Sequence, residues 1–123
     1  MSKQAEDLLE FDVYRIDVGQ RVLLSHGNPV LLSPKVFDTL LVLAEQPGRV
    51  LQKDYLLKKV WPDSFVEEGS LARNVHTLRR VLGPAPDGQE YIETIPKRGY
   101  RFKAPVRRVS ESIRLGIARR CAG

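Results

Sequence analysis

Gly69-Ser-Leu-Ala-Arg-Asn-Val-His-Thr-Leu-Arg-Arg-Val-Leu82 carries more information than any other stretch of this chain. Leu71, Val75, Leu78 and Leu82 recur at i, i+4, i+7 and i+11, which places them on one apolar stripe of an α-helix. Gly83-Pro84 ends that helix. With the stripe turned inward, the opposite face presents Arg73, Thr77 and Arg80, flanked by Ser70, His76 and Asn74, while Arg79 projects to the side of the stripe. No carboxylate occurs between Gly69 and Leu82. Any exposed helix face is polar, but most soluble helices mix the two signs, so a face with cations and amides alone points to a polyanion.

These are residue types that reading duplex DNA requires. Arginine can give two hydrogen bonds to guanine, asparagine can match adenine, and Thr or Ser can meet a thymine methyl or a phosphate. The major groove is ~12 Å wide and admits one α-helix. Arg79, at the side, is better placed for a phosphate.

Working upstream, Asp63 to Glu68 is a polar connection. Before it a helix from about Lys53 to Trp61 buries Leu56, Leu57 and Val60, and Pro62 stops it. Val50-Leu51 reads as a brief extended link. An earlier helix starts at Ser33-Pro34, a serine N-cap with proline at the first helical position, carries Phe37, Leu40, Leu41 and Ala44 on one stripe, and ends at Pro47-Gly48. Phe11-Asp-Val-Tyr-Arg-Ile16 alternates apolar and polar residues like one half-buried strand. Arg21 to Leu24 and Pro29 to Leu32 form a hairpin about Ser25-His-Gly-Asn28. Downstream, Ala85 to Gln89 is a loop. Tyr91 to Ile95 and Gly99 to Phe102 are then two strands joined by Pro96-Lys97-Arg98.

The order is three strands, three helices and a closing basic hairpin. That predicts an α+β winged helix-turn-helix: an N-terminal antiparallel sheet, three helices and a C-terminal β-hairpin wing. Its expected limits are residues 10–106, with a flexible tail at 1–9 and a basic tail or linker at 107–123. The cationic tip of the hairpin, Lys97 and Arg98, can lie along the backbone or enter a narrow minor groove. A charged edge strand kept soluble is the plainer reading. Both features together, in this order after a helix pair, favour DNA.

The 123 residues, 42% hydrophobic, suit one domain with one core. The net charge of +5 and pI near 9.6 agree with a polyanionic partner. The longest apolar runs fall far short of the ~20 residues of a membrane span. No signal peptide is expected in the polar start, and one cysteine, Cys121, excludes an internal disulfide or cysteine-zinc cluster. A cytoplasmic location follows. No cofactor is expected, since His26 and His76 lack metal-ligand spacing and no phosphate-cradling glycine loop occurs.

The chain resembles the OmpR/PhoB-type winged helix effector domain, in the version at the N-terminus of CadC- and ToxR-like regulators. The resemblance lies in Leu32-Ser-Pro-Lys-Val-Phe-Asp-Thr-Leu40, Pro47-Gly-Arg-Val50, Leu56-Leu-Lys-Lys-Val-Trp61, Leu71 to Leu82 with its closing Leu-Arg-Arg-Val-Leu-Gly, and Tyr91-Ile-Glu-Thr-Ile-Pro-Lys-Arg-Gly-Tyr-Arg-Phe102. It implies four initial strands, one more than periodicity resolves. It also implies that the third helix is the recognition helix, with Ser70, Arg73, Asn74 and Thr77 facing bases or nearby phosphates, and His76 and Arg80 beside them. Arg79 and the indole of Trp61 would hold the backbone, and Thr94, Lys97 and Arg98 would form the wing contact. The 63–69 loop would touch RNA polymerase, and a second copy would bind in tandem on direct repeats. Two features depart from the family: Pro96 stands where an arginine is usual, and the tip lacks its common glycine. The fold opens near Met1, so a receiver aspartate on this chain is not the expected switch.

A winged helix can instead be a protein-interaction module, but its third helix should then expose aromatics or leucines. Catalysis is disfavoured because the carboxylates are scattered over loops and exposed faces. Single-strand RNA reading lacks aromatic stacking platforms on the helix face.

Overall fold

The computed structural model describes residues 7–86 and 88–110. Residues 1–6, Asp87 and 111–123 lie outside it, and with them most of both expected tails and Cys121. The chain divides into two compact units, one from the N-terminal part through Leu32 plus the part from Val106 onward, the other Ser33–Pro105.

The first unit holds β1 (Asp7–Phe11), β2 (Tyr14–Asp17), β3 (Val22–Ser25), β4 (Asn28–Val30) and, after the second unit, β8 (Arg107–Ser110). All pair antiparallel in the order β4-β3-β2-β1-β8. The four initial strands that the resemblance implies are therefore present. Residues 11–16, read above as one strand, are instead broken by a turn at Asp12-Val13. Asp12 adopts φ +50°, and Phe11 and Tyr14 face each other across the turn with ring centroids 5.2 Å apart. A two-residue turn preserves the alternation, so periodicity does not reveal it. The expected hairpin at Ser25 to Asn28 forms, with His26 and Gly27 both at positive φ, as two-residue turns between twisted strands require. Leu8, Leu9, Phe11, Ile16 and Leu23 are buried.

The sheet also passes both expected limits of the domain. β1 begins before residue 10, and β8 pairs with it along Asp7↔Ser110 to Glu10↔Arg107. Arg107 and Arg108, expected to open a tail, are strand residues. Glu10 explains the attachment: it accepts from Arg107 at 2.8 Å and pairs with Arg15 of β2 at 3.0 Å. One carboxylate thus joins three strands.

The second unit contains α1 (Pro34–Glu45), β5 (Val50–Gln52), α2 (Lys53–Val60), α3 (Glu68–Leu82), β6 (Ile92–Ile95) and β7 (Gly99–Phe102). Ser33 is the N-cap of α1, its carbonyl accepting from Phe37 N at 2.9 Å and Pro34 following it; its side chain makes no capping bond. The helices pack on one another through Phe37, Leu40, Leu43, Leu56, Val60, Leu71, Val75, Leu78 and Leu82. The stripe expected for α3 is wholly buried. In α1, Leu43 is fully buried and Leu41 only half-buried, the reverse of the expected stripe. The Val50-Leu51 link is a true strand, since β5 pairs with β7 and completes a three-stranded sheet β5-β7-β6. Its three residues are too few to show a period, and the partner lies some fifty residues downstream.

Candidate functional site

The outward face of α3 exposes Arg73, His76 and Arg80, with Ser70 and Thr77 half-buried at its margins. At 100° per residue Asn74 and Arg79 stand about 70° to either side of the stripe's centre. The structure puts both to internal use. Asn74 Nδ2 donates to Thr39 Oγ1 at 3.2 Å and to Lys35 O at 3.3 Å, tying α3 to α1. Thr39 is fully buried and itself donates to Lys35 O at 2.8 Å, so the amide adds a second donor to an already paired buried hydroxyl and carbonyl. Arg79 donates from Nε and Nη2 to Ile92 O (3.1 and 2.9 Å) and from Nη2 to Thr94 Oγ1 (2.6 Å), and it pairs with Glu90 at 3.2 Å. Asn74, expected toward bases, and Arg79, expected toward a phosphate, are both fastened within the unit. Their angular offset from the stripe was the signal.

The wing forms as expected. β6 and β7 pair Ile92↔Phe102 to Ile95↔Gly99, and Arg98 N donates to Ile95 O at 3.0 Å across the tip. Lys97 occupies the left-handed region at φ +65°, where the missing glycine would sit. Lys97 and Arg98 are exposed. Arg101, grouped with them by sequence, is held by Glu93 directly across the strand pair. Among the described residues, Arg73, Arg80, Lys97 and Arg98 have no carboxylate partner, whereas Arg15, Arg79, Arg101 and Arg107 do. Four of the exposed cations without a carboxylate partner thus share one helix face and one hairpin tip of the same unit, while Arg49, Lys58 and Lys59 are exposed elsewhere in it.

Trp61 caps the C-terminus of α2, its N donating to Leu57 O at 2.9 Å. Its side chain lines an open cleft of about 880 Å³ with Leu57, Pro62, Phe65 and Val66, edged by three acids, Asp54, Glu67 and Glu68, and one cation, Lys58. Phe65 is fully exposed. Sequence reasoning passed over Phe65, although an aromatic within a polar connection was the clue. Among the described residues no group of three or more His, Cys, Asp or Glu could hold a metal ion. Nor is any described helix long and apolar enough to cross a membrane.

An initial antiparallel sheet, three helices and a hairpin after the third define the winged helix class of OmpR/PhoB type. The chain belongs to the family described as "Transcriptional regulatory protein, C terminal", whose model matches residues 27–102. It is 40% identical over 84 residues to the transcriptional regulator HilA of Salmonella typhi, covering 68% of this chain and 15% of that protein. It is 36% identical over 82 residues to the transcriptional activator CadC of Escherichia coli, covering 66% and 16%. The chain therefore spans about one-sixth of the length of these relatives. Among solved structures, the DNA-binding domain of E. coli CadC aligns with a TM-score of 0.73 at 28% identity, over 84% of this chain and 97% of that one. The Klebsiella pneumoniae RstA DNA-binding domain, solved in complex with the RstA box, aligns at 0.67 and 28%, over 78% and 96%. The relatives are transcriptional regulators, and the chain is a regulatory domain rather than an enzyme.

Proposed function

We propose that this domain binds double-stranded DNA sequence-specifically for a bacterial transcription regulator. α3 enters the major groove, and the Lys97-Arg98 tip lies on the backbone or in the minor groove. The observation that carries the reading is the concentration of exposed cations without carboxylate partners, Arg73, Arg80, Lys97 and Arg98, on the α3 face and the wing tip, while Arg15, Arg79, Arg101 and Arg107 are paired internally. Arg73 and Arg80 point straight out from α3 and are the base-edge readers, with Ser70, His76 and Thr77 along the margins. Asn74 supports α3 against α1 instead. RstA, a structural neighbour, was solved on its own DNA box, which favours the same use of this fold here. A cytoplasmic place accords with a chromosomal ligand, and direct-repeat sites would seat a second copy in tandem.

The test is selection of random duplexes by the purified chain, then a salt titration of the winning site. An enriched motif with log affinity falling by ~0.9 per log unit of salt for each phosphate contacted is the expected result. Steep salt dependence with no motif would reduce the function to backbone binding. Arg73→Ala is expected to cost ~1–3 kcal/mol on the preferred site and to relax selection at one base position. A variant that binds as tightly as the parent removes Arg73 from the readout.

A second surface accompanies the first. The 63–69 loop with fully exposed Phe65 and its acid-rimmed cleft repels DNA and fits a protein, for which RNA polymerase is the proposed partner. This makes protein contact a companion of DNA binding rather than a replacement for it, because the α3 face itself exposes no aromatic or leucine.

A further inference from the structure

Among the described residues β6 is an edge strand, paired only with β7. Antiparallel pairing makes successive residues point their main-chain groups alternately toward and away from the partner strand. Lys103 N donates to Tyr91 O at 2.8 Å and Arg98 N to Ile95 O, so the odd-numbered positions face β7. Ile92 and Thr94 therefore turn their carbonyls and amides to the unpaired side. Arg79 of α3 covers that side. Its guanidinium spans Ile92 O and Thr94 Oγ1, and Glu90 holds Nε from the preceding loop. Ile92 is fully buried, so withdrawing the guanidinium toward a phosphate would strand a buried carbonyl, the costly direction of any hydrogen-bond exchange. A planar fork reaches both acceptors at once; a lysine ammonium on its flexible stem does not.

We propose that Arg79 is a positioning residue. By bridging α3 to the open edge of β6 it sets the angle of the wing, and so determines whether Lys97 and Arg98 reach phosphates while Arg73 and Arg80 occupy the groove. The inference deepens the DNA-binding reading and rests on it for its functional consequence. Arg79 acts through the wing and touches no nucleotide.

The experiment compares Arg79→Ala and Arg79→Lys in the whole chain, each checked for folding by thermal melting. Salt titrations on the selected duplex are run in the parent and in the double variant Lys97→Ala, Arg98→Ala. Losing both wing contacts lowers the log–log slope by ~1.8, at ~0.9 for each phosphate. That fall is expected for Arg79→Ala and equally for Arg79→Lys, with no further fall once the wing cations are gone. A fall of ~0.9 that lysine restores, and that persists without the wing cations, would make Arg79 a direct phosphate ligand and overturn the proposal. An unchanged slope would overturn it too. If the parent binds no duplex, the DNA reading fails, and the positioning role is then decided without DNA. Displaced amide resonances from Thr94 to Arg98 in both variants uphold it, and unmoved ones dismiss it.

Discussion

Gly99 shows how one residue can be dictated by a neighbour rather than by its own backbone angles. It sits in ordinary extended backbone, yet a Cβ built there would lie 1.9 Å from the Leu51 carbonyl oxygen. The obstacle is main chain of β5, so it has no rotamer to escape into. Gly99→Ala should therefore separate β5 from β7 and cost roughly 3 kcal/mol, the upper end for an overpacked core. Urea denaturation giving a loss under about 0.5 kcal/mol would contradict that close approach. Lys97 presents the opposite case, a side chain where glycine would be easier. Occupying the left-handed region costs a non-glycine residue ~1–2 kcal/mol, while glycine adds ~0.5–1 kcal/mol of unfolded-state freedom. Lys97→Gly should thus gain about 0.5 kcal/mol of stability while removing one cation from the tip. A calorimetric melt and a salt titration should move in opposite senses, and a destabilised variant would show that the turn is unstrained.

Among the elements, β8 is the one whose hold on the fold depends most on charge. Glu10, largely buried, is kept below the usual carboxylate value first by the Arg107 hydrogen bond, with Arg15 adding to it against the opposing cost of burial. A carboxyl depressed in the folded state contributes stability that is complete above its unfolded value of 4.5 and fades as pH falls through the lower folded value. Glu10→Gln should lower stability by roughly 1 kcal/mol at neutral pH and flatten the dependence below pH 4.5. Equal acid sensitivity in both proteins would assign that titration to other groups. How much of each element was legible follows the same logic of local against distant causes. α3 could be read in full because its stripe and its basic face repeat within a single helix. The β1–β2 hairpin could not, since the alternation runs unbroken through Asp12-Val13. β5 and β8 owe their existence to partners far along the chain, and nothing within three or four residues announces such pairing. At the site, the exposed cations were found by type and angle. The internal bonds of Asn74 and Arg79 were not legible, because the acceptors they meet, Thr39 and Ile92, belong to other elements.

For the molecule as a whole, a formal charge of +5 understates the division of labour. Internal pairing with carboxylates takes up Arg15, Arg79, Arg101 and Arg107, whereas Arg73, Arg80, Lys97 and Arg98 stand exposed on α3 and the wing, and acids flank the exposed Phe65 on a second face. Phe65→Ser should accordingly leave duplex affinity within twofold of the parent and reduce transcription in a reconstituted polymerase assay. Parallel losses in both would mean that the loop serves DNA binding instead. The pairing of β1 with β8 also has a mechanical consequence. Asp7 lies opposite Ser110, so the first and last described residues are neighbours, in antiparallel strands. Tension applied through these two points would load the ladder one rung at a time, like a zipper, rather than shearing every rung together. Any regulator that pulls on both flanks would peel β8 away at low force, and release Arg107 from Glu10 as its last rung.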